Sequence, residues 1–70
     1  MAGLEIFEEK NGYLIIHTTS NTYLDRFYMK YRAAGAIEEL EQLGDWTKPL
    51  KSVMRFGKKK IRAILWKWQY

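Results

Sequence analysis

Seventy residues make one domain, 1–70, and a chain this short buries only about 60% of the surface it exposes when unfolded, which leaves little room for a substrate pocket beside a core. Hydrophobic residues make up 47% of the chain, too many for a disordered one, and the absence of Cys excludes disulfides, zinc–thiolate centres and redox motifs. The formal net charge of +4 hides a division: residues 1–47 hold all eight acids and four bases, net −4, whereas residues 48–70 hold eight bases and no acid, net +8.

That division makes a directional field and draws an anionic partner to the C-terminal third. Part of the basic charge also balances the acidic remainder within the fold. No apolar run approaches the roughly 20 residues that span a bilayer. The start, Met1-Ala2-Gly3-Leu4-Glu5, lacks the basic and apolar regions of a signal peptide. The expectation is a soluble, cytoplasmic protein. Aromatics are abundant for the length, with three Trp and five Tyr, more than a small core hides easily, and surplus aromatics belong to interfaces.

Leu4–Glu9 and Tyr13–Thr19 are predicted to be strands, joined at Asn11-Gly12, a pair that suits a type I′ turn. Leu4, Ile6, Tyr13, Ile15 and His17 then share one face, and Phe7, Leu14 and Ile16 the other. Both faces are apolar, and one helical layer cannot cover two. Thr22 with Asp25 three residues on matches a capping box loosely. Leu24, Phe27, Tyr28 and Tyr31 follow at helical spacing, and Ile37, Leu40 and Leu43 make a second stripe. Gly35 is the expected break or kink between the two, and Gly44 the stop.

Asp45–Pro49 is a predicted loop. Leu50–Phe56 and Lys60–Lys67 are predicted to form a second hairpin around Gly57-Lys58-Lys59. The order is ββ-α(α)-ββ: an α+β fold, an antiparallel four-stranded sheet with a kinked or broken helix packed on one face. Alternation sorts Leu50, Met54, Phe56, Ile61, Ala63 and Leu65 to the core side. Lys51, Val53, Arg55, Lys60, Arg62, Ile64, Trp66 and Trp68 look outward, with Tyr70 in phase. If both hairpins share one sheet, Phe7, Leu14 and Ile16 adjoin Val53, Ile64 and Trp66, a patch large enough to suggest a homodimer or a protein partner.

The outward side is therefore basic and aromatic. Lys51, Arg55, Lys58, Lys59, Lys60 and Arg62 suit phosphates, and Trp66, Trp68 and Tyr70 suit stacking on unpaired bases. The same residue types also serve protein interfaces, and Lys58–Lys60 on their own would read as a solvated turn.

Chemistry is poorly represented. His17 is the single His, more often structural than catalytic. Glu38, Glu41 and Asp45 could meet around a divalent ion, but a solvated acidic helix face is the simpler reading. Glu5, Glu8 and Glu9 guard a strand edge. No phosphate loop, dinucleotide fingerprint, zincin motif or nucleophile elbow occurs. The expected function is a small non-enzymatic binding module without catalytic residues, metal or cofactor. The leading expectation is a nucleic-acid-binding accessory protein, for DNA or RNA, using the C-terminal hairpin. The alternative is an inhibitor or adaptor that blocks a protein sterically, such as a nucleic-acid enzyme, as small phage and mobile-element proteins do, or a small subunit of an assembly. An acidic protein surface would serve as partner there.

Overall fold

A computed structural model describes residues 3–69, apart from the side chain of Phe56. It is an α+β fold in which three strands precede two helices. Strands β1 (Leu4–Glu9), β2 (Gly12–His17) and β3 (Thr22–Phe27) form one antiparallel sheet in sequence order. Helices α1 (Lys30–Glu41) and α2 (Leu50–Gln69) follow.

The first hairpin forms as its alternation dictates. Leu4 pairs with His17, Ile6 with Ile15 and Glu8 with Tyr13, so the predicted faces hold. The two loop residues are Lys10 and Asn11, one position earlier than expected. Asn21 is the one non-glycine residue with positive φ among those described, at 51°, so the type I′ turn is not used at Lys10-Asn11. Asn21 instead ends the polar run Thr18–Asn21 that turns β2 into β3. Asn tolerates the left-handed region because its short amide bonds locally.

Thr22–Phe27 is thus a strand, not a helix start. Tyr13 pairs with Phe27 and Ile16 with Tyr23, and a shift between Ile15 and Ile16 leaves Leu24 as the extra residue of a bulge. The bulge turns Leu24 against the core while Tyr23 stays on the outer side. The predicted stripe of Leu24, Phe27, Tyr28 and Tyr31 does not form: Phe27 is buried from β3, and Tyr28 and Tyr31 are exposed.

Helix α1 runs unbroken through Gly35. Ala33, Ala36, Ile37 and Leu40 are buried at i, i+3, i+4 and i+7, a helical stripe laid on the inner sheet face with Leu4 and Ile15. Leu43 lies beyond its end and is exposed, and the helix closes at Gln42, before Gly44. Trp46 then turns inward from the loop and is 2% exposed. Its indole Nε1–H donates to the Leu40 carbonyl at 2.6 Å.

The second hairpin is absent: residues 50–69 are one helix of 20 residues, and the sheet has no fourth strand among the described residues. The cross-strand pairs predicted around Gly57 do not exist. Leu50, Val53, Met54, Ile61, Ile64, Leu65 and Trp68 lie on or against the core, which at 3.6 residues per turn is one continuous face. Ala63, expected inward, is exposed. Val53 and Ile64, expected outward, face the core with α1. Pro49 starts the helix, its carbonyl accepting from Ser52 and Val53 N–H at 2.9 and 3.2 Å.

The C-terminal end of α2 is fastened on two sides. Trp68 Nε1–H donates to the Glu39 carboxylate of α1, and Lys67 Nζ pairs with the same carboxylate at 2.9 Å. Gln69 Nε2 donates to Asp25 Oδ1 at 2.5 Å and to the Arg26 carbonyl at 3.0 Å, tying the helix to β3.

Candidate functional site

The predicted site residues of the C-terminal third all belong to α2, except Tyr70, which lies outside the described residues. A helix sorts them differently from a strand. Lys51, Arg55, Lys58 and Arg62 recur at i, i+4, i+7 and i+11. At 3.6 residues per turn they fall within an arc of about 60°. Lys59 and Trp66 lie within about a further 40°. All six are exposed, and Trp66 retains 65% of its accessible surface. Lys60 falls on the opposite flank, with Lys67, toward α1.

Trp68 is a correction. It was expected to look outward beside Trp66. Two positions in a helix are about 200° apart, so the two indoles cannot share a face. Trp68 is half-buried in the seam between α1 and α2, its ring packed over Gly35 and not beside Trp66. The expected joint patch of Phe7, Leu14 and Ile16 with Val53, Ile64 and Trp66 is likewise not formed, because the last three are on α2.

The Lys51–Arg62 ridge borders an open cleft of about 470 Å³ between α2 and β3. Leu24, Leu50, Met54, Ile61 and Leu65 line it with apolar surface, and Tyr23, Arg62 and Trp66 also contribute. Tyr23 is 53% exposed. Reading Thr22–Phe27 as helical hid Tyr23 and Leu24 from the sequence analysis. The signal that could have found them was the polar cluster Thr18-Thr19-Ser20-Asn21, a turn, followed by a run rich in aromatic and β-branched residues.

The outer face of the sheet is left open by the helices. Phe7 is 55% exposed and Tyr23 lies on the same face, with half-buried Leu14 and Ile16 between them. Arg26 Nε pairs with Glu9 Oε1 at 3.4 Å across that face.

The titratable groups considered for chemistry have structural employment. His17 is fully buried. Its Nε2 lies 2.7 Å from the Trp46 carbonyl, which can only accept, so the Nε2 proton is fixed there. The other ring nitrogen, Nδ1, is 2.6 Å from the Ser20 hydroxyl. Asp45 accepts from the Thr47 hydroxyl at 2.5 Å and the Thr47 N–H at 3.0 Å, and these bonds hold its carboxyl below the ordinary aspartate range. Among the described residues no three acids or histidines gather as a metal site, so Glu38, Glu41 and Asp45 do not come together as a cluster. Among the described residues no helix is long and apolar enough to cross a membrane.

Comparison with known proteins adds no relative: no family model, curated protein or solved structure matches the chain.

Proposed function

We propose that this chain is a small non-enzymatic module that binds nucleic acid, with little regard to sequence, along the exposed basic flank of α2. One observation carries the reading: Lys51, Arg55, Lys58, Lys59 and Arg62 share one arc of a helix that contains no acid. The stripe from Lys51 to Arg62 is about 16 Å long at 1.5 Å per residue. One strand of a duplex carries about five phosphates over that length. Sequence tolerance follows from the side chains available. The arc offers no Asn, Gln, Asp or Glu to read base edges, and Arg55 and Arg62 stand two turns apart. The non-enzymatic part rests on His17, Glu39 and Asp45, which are committed to the fold.

The test is anisotropy of a labelled oligonucleotide over a salt titration. Five phosphate contacts predict a log–log slope of about −4.5 on a duplex or about −3.5 on a single strand. Arg55→Glu with Arg62→Glu should weaken binding and flatten the slope by about 2. Lys60→Glu, on the other flank, should change both far less. Equal effects of the two would refute the assignment.

A second reading draws on the open sheet face. Phe7 and Tyr23 are the kind of aromatic anchor a protein partner buries, as a steric inhibitor, an adaptor or a subunit would require. Association that resists salt and fails on Phe7→Asp would favour it.

A further inference from the structure

Resting on the nucleic-acid reading, we infer that the occupant of the site is single-stranded nucleic acid, with its phosphates on the α2 ridge and an unpaired base in the cleft between α2 and β3. Three observations on different elements converge. The cleft has an apolar floor of Leu24, Leu50, Met54, Ile61 and Leu65 with Thr22, Asp25, Arg62 and Gln69 around it, and at about 470 Å³ it is large enough for a flat ring to enter. Trp66 from α2 lines it while staying 65% exposed, and Tyr23 borders it from β3 with its side chain on the outer sheet face. Arg62 lines it as well and belongs to the phosphate ridge, and Trp66 stands one helical turn beyond Arg62, on the same side. A strand that follows the ridge therefore meets an indole where its next base must go.

Charge sets the orientation. The α2 wall is basic, whereas the β3 wall holds Asp25, which bonds Gln69 and the Arg26 N–H. Phosphates are drawn to the first wall and repelled by the second, so bases point inward toward Leu24. A duplex satisfies the ridge but keeps its bases stacked, and it must unpair one to reach the cleft, at a cost of a few kcal/mol. A single strand has no such cost.

The experiment compares a labelled homopyrimidine strand, as DNA and as RNA, with a duplex of the same length and with poly-glutamate. Each is titrated against the full chain and the variants Trp66→Ala and Trp66→Phe, with circular dichroism confirming that each variant is folded. The wild type should prefer strand to duplex. Trp66→Ala should lose about 5- to 100-fold on the strand, the range expected for one stacked base, and leave the duplex nearly unchanged. Trp66→Phe should recover most of the loss. If strand and duplex bind alike, or Trp66→Ala leaves their ratio intact, the cleft assignment is wrong while the ridge stands. If neither binds, or poly-glutamate binds as tightly as the strand, the nucleic-acid reading fails and the cleft assignment with it.

Discussion

The indole of Trp68 lies directly over the backbone of Gly35: a Cβ built on that glycine would stand 2.5 Å from Cη2 and 2.6 Å from Cζ3 of the ring. The glycine is there to admit the ring, and the ring locks α2 to α1. Gly35→Ala should therefore destabilise the domain by about 1–3 kcal/mol, the cost of overpacking. Trp68→Ala should also destabilise it. Because both changes act at one contact, the double variant should cost clearly less than the sum in a denaturant titration. Additive costs would mean the two residues are not coupled.

Gly57 has the opposite sign. It sits inside α2, and an added Cβ would meet only Ile61, at 3.7 and 4.0 Å, an ordinary contact. Replacing a mid-helix glycine by alanine at such a site stabilises by about 0.5–1 kcal/mol. In a domain of this size that raises the melting temperature by about 2–8 °C. Had residues 50–67 been a hairpin turning at Gly57, the substitution would have destabilised it, so thermal melting of Gly57→Ala tells helix from hairpin.

His17 and Trp46 hold the loop to the sheet. The rings meet edge to face with centroids 6.0 Å apart, and the imidazole occupies the Trp46 carbonyl. His17→Ala leaves that buried acceptor unpaired and opens a cavity, for a loss of about 2–4 kcal/mol. Trp46 fluorescence should shift to the red as water enters. Unchanged stability would show that the loop closes without the histidine.

Acid should loosen the helix–helix seam. The hydrogen bond from Lys67, and after it that from Trp68, holds the Glu39 carboxyl below the ordinary glutamate range. A depressed carboxylate pKa contributes stability above the unfolded-state value, and that contribution is lost as pH falls through the lower folded value. Glu39→Gln should make the acid side of the stability–pH curve shallower and leave its shape near neutrality unchanged. A curve parallel to that of wild type would show that Glu39 does not report on folding.

The sequence made the first half of the chain legible and misled in the second, for a physical reason. Leu4–Glu9 and Tyr13–His17 are short β-rich runs on either side of Asn11-Gly12, a local hairpin signal that needs no help from the rest of the chain. Residues 50–68 contain a helical face, but Gly57 occupies one of its seats and three lysines follow, which together imitate a turn. Over short apolar runs the two periods give overlapping patterns. Thr22–Phe27 failed in the reverse direction, since a bulge at Leu24 breaks alternation and leaves a spacing that resembles a helix. The basic ridge was legible as composition, but its geometry was not. Lys51, Arg55, Lys58 and Arg62 fall on one exposed side under either reading, whereas strand parity, unlike helical rotation, groups Trp68 with Trp66.

Helix α2 is built against its own charge. Lys51 and Arg55, Arg55 and Lys59, and Lys58 and Arg62 are like charges one turn apart, each pair costing about 0.2–0.5 kcal/mol. No acid occupies the first turn to offset Lys51. The apolar stripe must hold the helix in spite of this. Any polyanion laid along it relieves the repulsion while it binds, so ligand and folding reinforce each other by mass action. Without one, the domain should melt at a higher temperature as simple salt is added, because mobile ions screen the like charges along the helix.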